Sequence, residues 1–242
     1  SVEWKTASNS RQLENIQTNK INTNLVEIII NYKLNNIDSK NKITYTINSK
    51  GVLKVKNDFV YGGNLNDAQI PRFGMNFTIP KQYSEVSWYG RGPHENYIDR
   101  KSSAFVGLYK GIVEDLGFDY SRPQENGYRT DVRWLKVSNK DKIGFEIRGE
   151  PFISFSAHYN TIEDFDDGLI AQKPGETLAV RQRLVKMQRK PVDIPKREFI
   201  SLNVDLKQMG VGGDNSWGAR TLPKYTIYPG NYSYKFSIVP FD

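Results

Sequence analysis

A chain of 242 residues with 38% apolar and 12% aromatic content can build a sizeable core, so intrinsic disorder is not expected. Its 34 Lys and Arg against 27 Asp and Glu give a formal charge of +7, but the basic residues are scattered, which argues against a nucleic-acid footprint. The absence of cysteine excludes disulfide frameworks and thiolate metal sites, and no apolar run approaches a membrane span.

The first 24 residues are rich in Asn, Gln and Lys, with Trp4, Leu13 and Ile16 as the main large apolar groups, and are expected to be partly irregular. The start at Ser1 is not a signal peptide, and its abruptness suggests a fragment. Residues 25–34 read as a β-branched strand ending at Asn35-Asn36. In 42–48, Ile43, Tyr45 and Ile47 alternate with Thr44 and Thr46; after the turn Ser49-Lys50-Gly51 the alternation resumes at Leu53 and Val55, which predicts a hairpin. Phe73, Met75, Phe77 and Ile79 mark a strand over 70–80, and another covers 86–89. It leads into Gly90-Arg-Gly92, which is no phosphate cradle, because Pro93 follows and no amphipathic helix does.

Residues 102–115 read as a connection with a short strand, and Asn126-Gly127 as a turn. Strands are expected over 132–137, 142–147 and 152–157. Periodicity then fades: a short helix fits 162–167, and 178–187 suits a helix or a strand. The basic cluster Lys186, Arg189, Lys190, Lys196 and Arg197 is broken by Pro191 and Pro195 and reads as a solvated loop. Strands return over 200–206, 224–228 and 232–239. With no long helix and no repeat, the chain predicts a single all-β domain over 1–242, a large antiparallel β-sandwich in preference to a closed barrel.

Catalytic chemistry is poorly supported by spacing. Glu95, Asp99, Glu125, Glu163, Asp164 and Asp214 are the acidic candidates, but no pair is set on one cleft wall as glycoside hydrolysis needs. His94 and His158, the only histidines, lack a partner at metal-ligand spacing; a loop hydrogen bond and a strand-end contact are their expected roles. No Gly-x-Ser-x-Gly elbow occurs. The most distinctive stretch is Gln208-Met-Gly-Val-Gly-Gly-Asp-Asn-Ser-Trp-Gly218. On spacing alone it reads as a bulged turn folding Trp217 back over its own sandwich, with an aromatic platform held out for a ligand as the functional alternative.

Three ordered motifs then carry a resemblance. Arg72-Phe-Gly-Met-Asn76 and Trp88-Tyr-Gly-Arg-Gly-Pro-His-Glu-Asn-Tyr-Ile-Asp-Arg100 are similar to bacterial β-galactosidases of glycoside hydrolase family two, whose signature is W-x-G-x-G-P-x-E-N-Y-x-D-R. Pro123-Gln-Glu-Asn-Gly127 resembles that family's P-x-E-N-G, and the stretch ending in Trp217 resembles its C-terminal glycine loop. The resemblance implies the C-terminal domain of a β-galactosidase, a galactose-mutarotase-like sandwich. In that family the catalytic glutamates and the magnesium and sodium ligands lie mainly on a separate barrel. It therefore implies no cofactor and no catalytic residue in this chain, and a substrate-binding role for Trp217, with Asp214 and Asn215 beside it. The implied partners are a galactoside and the remaining domains of a homo-oligomeric parent enzyme, with no nucleic acid and no membrane. Bacterial cytoplasm and periplasm both stay open.

The family's R-A-P-T-D-N-D-like stretch is missing, which points to a sandwich short of its first strands; 166–189 departs from the family pattern, and His94 stands where some relatives have Gln. An autonomous carbohydrate-binding module or a sugar epimerase is the alternative, and the epimerase needs His94 and His158 to converge with a glutamate. A structural role at a subunit interface is a third possibility.

Overall fold

The computed structural model describes residues 2–63, 69–166, 190–215 and 217–242. Among the described residues a short helix, α1 (Val2–Ala7), precedes eleven strands: β1 (Arg11–Asn22), β2 (Leu25–Leu34), β3 (Ser39–Asn48), β4 (Leu53–Val60), β5 (Arg72–Pro80), β6 (Glu85–Gly92), β7 (Phe105–Ile112), β8 (Arg129–Ser138), β9 (Gly144–His158), β10 (Phe199–Gln208) and β11 (Tyr232–Phe241). Every pairing is antiparallel, in the order β1-β2-β3-β4-β11-β9-β8-β6-β7, with β10 joining β9 to β5.

The sandwich comes from β9. Its first half pairs with β11, from Gly144↔Phe241 to Glu150↔Lys235, and its second half pairs with β10, from Ser154↔Asp205 to His158↔Ser201. The β5–β10 layer thereby folds over β4 and β11. Phe77 of β5 meets Phe236 of β11 edge-on, with ring centroids 6.2 Å apart. Phe73 packs on Phe59, Tyr232 and Tyr234, and the Tyr234 hydroxyl donates to the Val204 carbonyl at 3.1 Å. The core between the layers holds Val132, Leu135, Ile147, Phe155, Ile200, Leu202 and Phe236. Alternating strand sequence produces it, because side chains two apart share a face. In β5, Phe73, Met75, Phe77 and Ile79 are half-buried while their neighbours Gly74, Asn76 and Thr78 are exposed.

The all-β antiparallel sandwich is the architecture expected, and the β3–β4 hairpin, β5, β6, β8, β10 and β11 fall where the alternation puts them. Four local expectations need correction. The first 24 residues are ordered as α1 and β1; Trp4 ties α1 to Phe59 and Tyr61, and β1 pairs with β2 along its length while every position stays exposed. Its stability comes from backbone pairing, which leaves no burial pattern to read. The predicted strands 142–147 and 152–157 are one strand, since Pro151 sits where β9 changes partners and a missing N–H breaks no pairing there. Residues 102–115 contain the full strand β7. Residues 224–228 form no strand: Pro223 starts a short 3-10 turn, Pro223–Tyr225, because its fixed φ suits a helical first position. Within 162–167, the described part forms the 3-10 turn Glu163–Phe165. Residues 178–187, with Lys186 and Arg189, lie outside the described residues. Of the basic cluster, Lys196 pairs with Glu114, and Arg197 with Asp164.

Candidate functional site

At one end of the sandwich the three motifs meet around a buried charge. Arg72, the first residue of β5, reaches Glu125 at 2.9 Å, lies 3.4 Å from the Asp205 carboxylate of β10, and donates to the side-chain oxygen of Gln208. Its guanidinium also covers the Tyr128 ring at 5.4 Å, and Tyr128 stacks on Tyr97 with planes 11° apart. Gly74 makes room: a Cβ there would fall 1.8 Å from an Asp205 carboxylate oxygen. Burial works against the charge on Arg72, but Asp205 and Glu125 outweigh it and push its pKa up. Burial pushes Asp205 up to about 7 against the pull of Arg72, and raises Glu125 as well. Two carboxyl groups in low dielectric share one cation, so the proton affinity of each rises.

Around this pair lies a second layer of bonds. Arg129 donates to the carbonyls of Leu116, Gly127 and Pro93 at 2.8, 2.8 and 3.0 Å, knitting three loops together. Glu95 accepts the Gly127 N–H at 2.7 Å and the Tyr120 hydroxyl. His158, the last residue of β9, donates from Nε2 to the Asn126 carbonyl at 3.0 Å, and burial lowers its pKa to about 4, so the ring is neutral. His94 is exposed, with Nε2 3.0 Å from the Ser103 hydroxyl. The two histidines thus have separate partners, His94 on an exposed loop and His158 partly buried at the end of β9. Next to the cluster a groove of about 750 Å³ is lined by Phe118, Tyr120, His158, Tyr159 and Phe165, among others.

The cluster grips both ends of a mount for the glycine loop. Gln208 ends β10 and begins the loop. On the other side, Tyr97 and Arg100 exchange backbone hydrogen bonds of 3.1 and 2.8 Å, closing a turn that follows buried Asn96. Asn96 Oδ1 accepts the Thr130 N–H and hydroxyl, while its amide donates to the His94 carbonyl. From this turn Asp99 accepts the N–H groups of Val211 and Gly212, and Arg100 donates to the Gly212 carbonyl.

Trp217 is 93% exposed, so the fold-back expected from spacing alone does not occur. Asn215 Oδ1 accepts the Trp217 N–H at 2.9 Å and the Ala219 N–H at 3.3 Å, an Asx-type turn that carries the tryptophan; Asp214 is exposed beside it. Of the other acidic candidates, Glu95 and Glu125 are brought to the same cluster, Asp99 to the loop, and Asp164 to Arg197. Glu163 opens the 3-10 turn. Sequence reasoning missed Asp205 and Tyr128 as members of the cluster, and Arg72 and Tyr97 entered it only as motif letters. Among the described residues no group of three or more His, Cys, Asp or Glu side chains is arranged to hold a metal ion.

Residues 1–238 match the protein family described as "Beta galactosidase small chain". The chain belongs to this family. A β-galactosidase of Priestia megaterium is 34% identical over 238 residues, covering 98% of this chain and 21% of its own. One from Halalkalibacterium halodurans is 30% identical over 228 residues, covering 93% of this chain and 20% of its own. This β-galactosidase small-chain domain therefore spans about a fifth of the length of the curated relatives it matches. Among solved structures, a galactose mutarotase related enzyme from Lactobacillus acidophilus is similar at a TM-score of 0.40 and 8% identity, covering 95% of this chain and 72% of its own. A GH36 α-galactosidase from Geobacillus stearothermophilus is similar at 0.45 and 8%, covering 96% of this chain and 28% of its own.

Proposed function

We propose that this chain is a noncatalytic domain of a β-galactosidase acting on terminal β-D-galactosides, and that it lends Trp217 to a sugar-binding pocket built mainly by the rest of the enzyme. The observation that carries the reading is a 93% exposed indole on a loop whose backbone is held by Asp99, Arg100 and Asn215. An indole left in water forgoes roughly 2 kcal/mol of burial, and stacking one face on the apolar C–H face of a sugar ring recovers part of it. The charged cluster supports the noncatalytic part: Arg72 is ion-paired with Glu125 and Asp205, and the partly buried His158 donates to the Asn126 carbonyl. Asp214 and Asn215 flank the proposed stacking site, Asn215 chiefly as the support of its turn.

Trp217→Ala in the full-length enzyme is expected to raise KM for a chromogenic galactoside roughly three- to tenfold, the scale of one aromatic stacking contact, with an unchanged melting temperature. An unchanged KM would overturn the stacking role. A second reading, an autonomous carbohydrate-binding module, has the groove lined by Phe118, Tyr120, Tyr159 and Phe165 in its favour. Calorimetric titration of the 242-residue chain with galactose tests it, and binding that disappears in Tyr120→Ala would support that reading over the first.

A further inference from the structure

Three glycines of the loop sit at left-handed φ, Gly212 at 64°, Gly213 at 83° and Gly218 at 77°, where a chain without side chains has the most alternatives to choose from. A platform that must meet a sugar ring at one height and angle needs something to choose among them. From these contacts we infer that Asp99 and Arg100 are positioning residues for Trp217, fixing the course of the loop without touching the sugar. The inference rests on the stacking role proposed for Trp217.

The geometry is specific. The Asp99 carboxylate accepts the N–H of Val211 at 3.2 Å and of Gly212 at 2.8 Å, one oxygen to each. Arg100, next in the chain, takes the carbonyl of the same Gly212, so the donor and the acceptor of that residue are both held from one turn. The fit leaves no slack: a Cβ on Gly210 would come 2.6 Å from Asp99 Cγ and 2.9 Å from Thr221 Cγ2, and one on Gly213 would come 3.3 Å from Arg100 Nη2. Behind the clamp, the turn is closed by the Tyr97–Arg100 backbone pair and anchored by Tyr97 stacking on Tyr128. On the near side the loop is pinned by the Met209 N–H to the Pro71 carbonyl at 2.9 Å and the Gly210 N–H to the Tyr225 carbonyl at 2.8 Å. An anionic acceptor serves two N–H groups well, because charge-assisted hydrogen bonds are about twice as strong as neutral ones. An asparagine of the same size has one acceptor oxygen and presents an NH₂ to the second N–H.

The test uses Asp99→Asn, Trp217→Ala and the double variant of the full-length protein, with KM for a chromogenic galactoside and hydrogen exchange of the peptide spanning Val211 and Gly212. Asp99→Asn is expected to speed exchange at 211–212 and to raise KM roughly three- to tenfold alone, but to add nothing once Trp217 is gone, as coupled residues do. Unchanged exchange in Asp99→Asn overturns the inference. So does a KM effect of equal size with and without Trp217, since that would be a direct or global effect of Asp99. If Asp99→Asn loosens the loop while Trp217→Ala leaves KM untouched, the clamp stands and the stacking role is what fails.

Discussion

Arg72 holds one positive charge between Glu125 and Asp205, and His158 stands neutral beside the same motif residues because burial costs its charged form more than the Asn126 carbonyl returns. That neutrality has a pH signature. The unfolded chain protonates His158 near its ordinary pKa of 6.5, the folded chain only near about 4, so the unfolded state binds the extra proton in between. Stability is lost as pH falls through that window, by at most about 3 kcal/mol. Asp205 works oppositely: with its folded pKa raised to about 7, the folded state binds the extra proton, and stability falls as pH rises toward 7. His158→Gln keeps a donor for the carbonyl and removes the titration. Urea unfolding at about pH 7 and about pH 4 should therefore show the variant gaining on the wild type at the acid end by up to ~3 kcal/mol. Little of this cluster is legible from sequence. In β10 the residues Ser201, Asn203 and Asp205 alternate with Ile200, Leu202 and Val204, a pattern that reads as one wet face and one dry face. Both faces are buried; Asn76 and Ser156 hydrogen-bond Ser201 and Asn203 on the polar one while Arg72 lies 3.4 Å from Asp205, and polarity therefore gave no warning that it was covered. Trp217 is the reverse case: its loop stands out in the sequence, but spacing cannot distinguish a turn that folds inward from one that holds its ring outward.

Elements announce themselves in this chain when one face is apolar. The β3–β4 hairpin and β5 alternate and are found where the alternation sets them, whereas β1 has Leu13, Ile16 and Ile21 all about half exposed and shows no dry face. The two classes of strand should respond differently to truncation. Phe236→Ala removes a ring that is 1% exposed and packed against Phe77 and Tyr234, and should cost about 3–5 kcal/mol in urea unfolding. Ile16→Ala on β1 should stay within about 0.5 kcal/mol of wild type. The β9 partner change was hidden for a different reason. Pro151 is a stop signal in any local reading, and only the tertiary exchange of β11 for β10 makes its missing donor harmless.

At the scale of the whole molecule, the positive charge of the chain is dispersed into local pairs such as Lys196–Glu114, Arg197–Asp164 and Arg91–Asp131, as its scattered sequence positions suggested. Family membership comes from the whole length of the sequence, and the proposed role comes from one end of the sandwich, where the three motifs are joined. The strand shared by the two layers bears on that end. β9 serves β11 with its first half and β10 with its second, so β10 is paired on both sides, with β9 and β5, over 201–205. β10 ends at Gln208 and runs directly into the glycine loop. Local fluctuations in proteins are cheap where a segment can detach by itself and expensive where it must take the domain with it. The root of the loop lies past the last β9 pair, at Asp205: Lys207 and Gln208 pair with Phe73 and Arg72 of β5 alone, so the stem of the tryptophan loop is held by the first residues of β5 and by the Arg72 side chain that grips Gln208.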